Sequence, residues 1–183
     1  MLLVVDNGSV YTPSLLNSIK NLNIDFEHHI FSNIPSLNLD NYSSIILSGR
    51  RKNDSEMNVI NSKLVKYSVE KNKSLLGICY GAEILALTLG GTIKKMVSPR
   101  HGLHEIEVTK SNPLCNGKIK GFESHSYMVS KLNSSFTQIA SSIDCKFEIF
   151  QYDNKNIFGT QFHPEMSEDG KSLLERFSSI KWY

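Results

Sequence analysis

Hydrophobic and polar positions fall into two textures that divide near residue 91. In the first, short apolar runs alternate with stretches at helical spacing. Leu2–Val5 reads as a buried strand, and Asp6-Asn7-Gly8-Ser9 after it is turn chemistry. Pro13 suits the first turn of a helix over 13–21. Asp25–Phe31 alternates and predicts a second strand; Ser44–Leu47 predicts a third, ending on Ser48-Gly49. Asp54 or Ser55 can cap a helix whose Met57, Ile60, Leu64 and Tyr67, three and four apart, share one face. Leu75–Ile78 is the next buried strand, and Ala82–Leu89 a compact helix closed by Gly90-Gly91. Strand–helix alternation of this kind implies parallel strands joined by right-handed crossovers.

From residue 92 the pattern becomes short and β-rich. Thr92–Val97, Leu103–Val108, Tyr127–Val129, Phe136–Ala140 and Phe147–Tyr152 read as antiparallel strands, with turns at Asn112-Pro113, Asn116-Gly117 and Asp153-Asn154. Ile157–Phe162 is a last strand, and Glu168–Ile180 a closing helix with Leu173, Leu174, Phe177 and Ile180 inward. The Ser/Asn-rich 32–44 reads as a surface loop. The fold class is therefore α/β: a mostly parallel open sheet with helices on both faces and a small antiparallel β extension. Its 183 residues fit one domain over 1–183.

Composition narrows the function. Hydrophobic residues make up 40% and charged residues 21%, ordinary for a soluble protein. Lys and Arg number 20 against 18 Asp and Glu, too balanced for a general nucleic-acid binder. No apolar run approaches a membrane span, and the start, Met1-Leu2-Leu3-Val4-Val5-Asp6, lacks the basic region of a signal peptide. Cys79, Cys115 and Cys145 are an odd count without metal-ligand spacing, so reduced thiols, no metal and a cytoplasmic location are expected.

Cys79 directly follows an apolar strand and precedes a short helix, within Gly77-Ile78-Cys79-Tyr80-Gly81. A residue there sits on a sharp strand-to-helix turn like a nucleophile elbow, with glycines on both sides relieving the crowding. The helix N-terminus should lower the thiol pKa, and the Tyr80 N–H should face an oxyanion formed when sulfur attacks a carbonyl. A buried small hydrophobe is the other reading of such a cysteine. His163, in Gln161-Phe162-His163-Pro164-Glu165, leaves the last strand at the carboxyl edge of the sheet, where open α/β sheets place their sites. Glu165, two residues on, can hold the far nitrogen of the imidazole while the near one deprotonates a thiol.

Gly77-Ile78-Cys79-Tyr80-Gly81-Ala82-Glu83 together with Gln161-Phe162-His163-Pro164-Glu165 resembles the class I (triad) glutamine amidotransferases, over essentially the whole chain. The resemblance implies a flavodoxin-like fold and a glutaminase in which Cys79 attacks glutamine, His163 is the base and Glu165 orients it. It further implies an oxyanion hole from the N–H groups of Arg50 and Tyr80, and substrate contacts from Gly49, Glu83, Ser126 and Tyr127. The opening Asp6-Asn7-Gly8-Ser9-Val10-Tyr11-Thr12 looks like that of the GMP synthase branch, whereas His125-Ser126-Tyr127-Met128-Val129 looks nearer the anthranilate synthase glutaminases. In the GMP synthase branch the ATP-pyrophosphatase half carries a Ser-Gly-Gly-x-Asp-Ser type of loop, which these residues lack. The resemblance thus implies a separate synthetase subunit that receives ammonia and holds ATP and Mg²⁺, with no cofactor in this chain and neither nucleic acid nor membrane as partner.

Three positions depart from the family pattern. Ser48-Gly49-Arg50-Arg51 stands in place of Ser-Gly-Gly-Pro, so a Cβ at Arg50 restricts the backbone that would offer the oxyanion N–H. Glu83 replaces a glutamine beside the substrate, and Tyr127 replaces an aspartate. Competing readings are a glutaminase of anthranilate or aminodeoxychorismate synthase, and a non-catalytic regulatory subunit whose site Arg50 and Glu83 have spoiled.

Overall fold

The computed structural model of the chain describes residues 1–180; the last three residues of the domain expected over 1–183 lie outside the described residues. Its centre is a nine-stranded sheet. In chain order the strands are β1 (Leu2–Asn7), β2 (Phe26–Ile30), β3 (Ser44–Arg50), β4 (Ser74–Ile78), β5 (Thr92–Val108), β6 (Lys118–Lys131), β7 (Phe136–Ser141), β8 (Ile149–Tyr152) and β9 (Ile157–Thr160). Across the sheet they run β2-β1-β3-β4-β9-β8-β7-β5-β6. The pairings from β2 through β9 are parallel, and those from β9 onward to β6 are antiparallel.

Every residue of β4 is buried, which is why Leu75–Ile78 reads as an unbroken apolar run: a central parallel strand is covered on both faces. Helices α1 (Thr12–Asn21) and α4 (Glu168–Ser179) lie on one face, where Leu15, Ile19, Leu173, Leu174 and Phe177 pack with Leu2, Val4, Ile46 and Leu76. Helices α2 (Ser55–Glu70) and α3 (Tyr80–Thr88) cover the other, where Met57, Ile60, Leu64 and Leu85 meet Leu3, Val5, Ile45 and Leu47. Each fully buried aliphatic side chain contributes about 1.5–3 kcal/mol, so the two-faced core holds the strand ends rigidly in place. The Asp54 side chain caps α2, accepting from the Met57 N–H at 2.9 Å. No helix among the described residues is long and apolar enough to cross a membrane.

The antiparallel part is larger than the small extension the sequence suggests. Thr92–Val97 and Leu103–Val108 are one strand, β5, whose pairing register breaks between Lys95 and Arg100, and β6 starts at Lys118 rather than Tyr127. Lys118–Ser126 alternates buried and exposed positions, but Glu123 and His125 occupy buried ones, which hid the strand from a hydrophobicity pattern. The 32–44 loop contains two short 3₁₀ turns, with Ile34 and Tyr42 packed into the core.

Candidate active site

Four adjacent parallel strands, β1, β3, β4 and β9, deliver side chains to one carboxyl edge of the sheet. β4 ends at Ile78 and α3 begins at Tyr80, leaving Cys79 alone in the turn at φ +51° and ψ −103°. Positive φ on a non-glycine residue stores strain, and the surroundings fix it here. The Cys79 N–H donates to the Thr160 carbonyl at 2.7 Å, and its own carbonyl accepts from the Glu83 N–H at 3.0 Å. Gly77 and Gly81 make the turn possible by close approach. A Cβ on Gly77 would lie 2.4 Å from the Gly81 carbonyl, and one on Gly81 would lie 2.3 Å from the Leu47 carbonyl oxygen.

His163 follows β9, and its N–H donates to the Phe122 carbonyl at 2.8 Å. Its Nδ1 lies 2.8 Å from Oε1 of Glu165, with both residues buried. This pair fixes the imidazole's tautomer and orientation. Gly49 lies between His163 and Cys79: a Cβ there would be 2.9 Å from His163 Cε1 and 3.7 Å from Cys79 Cβ. The Tyr11 ring packs on the His163 ring with centroids 4.6 Å apart, and its hydroxyl donates to Ser124 Oγ at 3.1 Å. Sequence reasoning missed Tyr11 as a support of the histidine. Its place just beyond the carboxyl end of β1, on the same sheet edge as the other site residues, was the available signal.

A cavity of about 330 Å³ opens over the elbow. Arg50, Cys79, Tyr80, Glu83, Ser126 and Tyr127, all singled out from the sequence, line it, together with Arg51, Asn53, Ser124 and His125. A larger cavity, about 500 Å³, lies away from the elbow against the irregular stretch of β5 from Lys94 to Arg100. Glu83 is buried in the pocket wall rather than solvated, and burial raises its pKa while Arg50, Gln161 and His125 lower it. The net effect is upward. Arg50 belongs to the end of β3 and has no positive φ, so its side chain imposes no backbone strain there. Its guanidinium lies 4.2 Å from the centroid of the Tyr80 ring, and Nη1 donates to Asn53 and, at 3.1 Å, to Asn58.

One electrostatic expectation is reversed. Burial pushes the Cys79 thiol well above its ordinary range, and the carboxylates of Glu83, Glu165 and Glu123 act the same way, with only the Tyr80 N–H opposing them. The helix N-terminus does not prevail because α3 is short and carries Glu83 in its first turn. The resting thiol is therefore protonated, and a thiolate forms only by passing its proton to a neighbouring base.

Residues 3–179 match the family model for class-I glutamine amidotransferases. The chain belongs to this family. Among curated members of the amidotransferase family, it is 32% identical to the glutamine-hydrolyzing GMP synthase subunit of Thermoplasma acidophilum, over 97% of this chain and 90% of that protein. It is 29% identical to the protein of the same name from Pyrococcus furiosus, over 98% of both. A crystal structure described as that of a GMP synthase subunit from T. acidophilum superposes with a TM-score of 0.86 at 30% identity, covering 97% of this chain and 91% of that one. Within the amidotransferase fold, the cysteine elbow and the histidine–carboxylate pair occupy neighbouring strand ends of β4 and β9, which is the arrangement that acyl transfer through a thioester requires.

Proposed function

We propose that this chain, a single glutaminase domain over 1–183, hydrolyses glutamine and delivers the ammonia to a separate synthetase subunit that converts XMP to GMP. The observation that carries the reading is the Cys79 elbow set beside the buried His163–Glu165 pair, in a chain alike over nearly its whole length to proteins named as the glutamine-hydrolyzing subunit of GMP synthase. That name favours the XMP acceptor over anthranilate or aminodeoxychorismate chemistry.

Each catalytic residue has one task. His163 takes the thiol proton as Cys79 Sγ attacks the side-chain amide carbon of glutamine. The N–H groups of Tyr80 and Arg50 face the oxyanion of the tetrahedral adduct. His163 returns its proton to the leaving nitrogen, the C–N bond breaks, and ammonia departs from a glutamyl thioester. Water, deprotonated by His163, then attacks the thioester carbon and releases glutamate, restoring the thiol. Glu165 stabilises the imidazolium at each transfer. Gly49 lets the histidine and the thiol approach each other. Glu83 and the backbone of Ser126 and Tyr127 receive the amino-acid end of the substrate.

ATP and Mg²⁺ act on the partner, an ATP-pyrophosphatase, and this chain carries no cofactor and works in the cytoplasm. The isolated chain is a weak glutaminase, since Arg50 is latched over Tyr80 across the pocket mouth. A docked, nucleotide-loaded synthetase that binds the open arrangement better shifts the population toward it. Glutamate release is measured alone, with the synthetase, and with synthetase plus ATP, Mg²⁺ and XMP, following ¹⁵N from the glutamine amide into GMP. Label in GMP supports the reading; glutamate release with no transfer to XMP refutes the acceptor, and no release under any condition refutes the glutaminase.

A further inference from the structure

Behind the pocket wall lies a cluster of ionisable side chains that the reaction above does not use. His125 on β6 lines the pocket with only 2% of its side chain exposed. Its Nδ1 is 2.8 Å from the Tyr127 carbonyl oxygen, and its Nε2 is 2.5 Å from Oε2 of Glu123. A carbonyl oxygen can only accept, so Nδ1 carries a proton.

The state of Nε2 follows from the two carboxyls beyond it. Glu123 and Glu148 are both fully buried. Burial alone would raise the Glu123 carboxyl, but hydrogen bonds to His125 and Glu148 and the charges of His125 and Arg100 outweigh it, so its pKa lies below the ordinary value. Glu148 goes the other way: burial and the adjacent Glu123 push it far up, against the Ser142 hydroxyl, which donates to its Oε1 at 2.6 Å. Oε1 of Glu123 and Oε2 of Glu148 are buried with no donor among the described residues. One proton kept on Glu148 and shared with Glu123 satisfies both oxygens. Glu123 is then the carboxylate, and Nε2 of His125 must donate to it.

We propose that His125, doubly protonated on Glu123, is the positioning residue of the amino-acid subsite. It holds the Tyr127 carbonyl, which fixes the Ser126–Tyr127 backbone at the pocket wall, and it sets a positive charge in that wall opposite Glu83. This combination suits a zwitterionic substrate, with the imidazolium biasing the carboxylate end and Glu83 the ammonium end. The groups facing the cluster are Glu83 from α3, Arg100 from β5, Asp144 and Cys145 from the turn before β8, and Glu148. Arg100 is paired with the exposed Asp144 at 2.5 Å and is buried itself, so the cluster keeps its charges balanced.

The subsite role rests on the glutaminase reading, and the test separates the two. Nitrogen NMR on ¹⁵N-histidine-labelled full-length protein reads the ring directly without turnover. Both His125 nitrogens should be protonated in the wild type at about pH 8, above the ordinary imidazole range. In Glu123→Gln only Nδ1 should be, because the amide can donate to Nε2 and preserve the geometry while removing the charge. In steady-state assays with the synthetase present, His125→Ala should raise KM for glutamine about tenfold with kcat changed less than about threefold, the pattern of lost uniform binding. Glu123→Gln should raise KM at about pH 8 and regain part of the loss at about pH 6, where the freed imidazole takes up its proton again. A singly protonated ring in the wild type overturns the proposal. So does an unchanged KM in Glu123→Gln, or a loss confined to kcat, either of which would leave the cluster without a part in substrate binding. A doubly protonated ring in a protein without glutaminase activity would refute the catalytic reading while leaving the assigned charge state intact.

Discussion

Replacing Gly49 by alanine tests the packing of the site with a single methyl group. The new Cβ would stand 2.9 Å from His163 Cε1, against 3.4 Å at the near end of ordinary contact, so about 0.5 Å must be recovered. The imidazole cannot simply retreat. Its Nδ1 is held by Glu165 at 2.8 Å, its face is covered by the Tyr11 ring, and its backbone N–H is bonded to Phe122. A displacement of about 0.5 Å reaches the tolerance of a catalytic constellation, where 1 Å costs about 100-fold, so kcat should fall about 10–100-fold. Stability should change far less. Gly49 has no positive φ, so alanine fits the backbone and gains about 0.4–1 kcal/mol through the unfolded state, against about 1–3 kcal/mol for overpacking. The net cost is about 1–2 kcal/mol, or roughly 3–8 °C in Tm for a domain of this size. Glutamate release and calorimetry on the same preparation give both numbers. Wild-type kcat in Gly49→Ala would refute the placement of His163 against Gly49, and a change in KM alone would move the clash from the catalytic base to the substrate.

Other expected outcomes follow from the same geometry. His163→Ala should lower kcat at least about 1,000-fold, and Glu165→Gln less, because an amide can still hold Nδ1 but no longer stabilises the imidazolium; equal losses in single-turnover assays would contradict that division of labour. Glu83→Gln should lower KM for glutamine with kcat equal or higher, by removing a buried charge from the pocket, and an unaffected KM would place Glu83 outside substrate contact. Burial raises the Cys115 thiol to about 11, so its folded pKa lies above the unfolded one. The stability it contributes is complete below the ordinary thiol range, declines as pH rises from about 8.5 and is lost by about 11. Cys115→Ala should flatten that part of the Tm–pH curve, and identical curves would contradict the assigned shift.

How much was legible in the sequence depended on which physical signal each element carries. The parallel half announces itself because strands buried on both faces, such as Leu75–Ile78, are plain apolar runs, and because the glycines around Cys79 have no other role than close approach. Both halves of the His163–Glu165 pair were readable, since two residues and a proline fix their spacing. The antiparallel half was harder. Strand β6 buries Glu123 and His125, so charge stands where a pattern reading looks for carbon. The sign of the Cys79 perturbation was wrong in the sequence because a helix end is a local feature, whereas the carboxylates of Glu165 and Glu123 come from other parts of the chain. Tyr11 and His125 were missed for a related reason: their partners, Ser124 with His163 and Glu123 with Tyr127, meet them only after folding.

The central claim is that glutamine is cleaved through a thioester on Cys79. The most direct measurement is a rapid acid quench of the wild-type chain turning over glutamine with its synthetase, followed by peptide mass spectrometry. The account predicts a glutamyl adduct on the peptide containing Cys79, discharged on return to neutral buffer, and neither adduct nor glutamate release in a folded Cys79→Ala protein. Glutamate release that persists in Cys79→Ala, or an adduct on Cys115 or Cys145 instead, would contradict it.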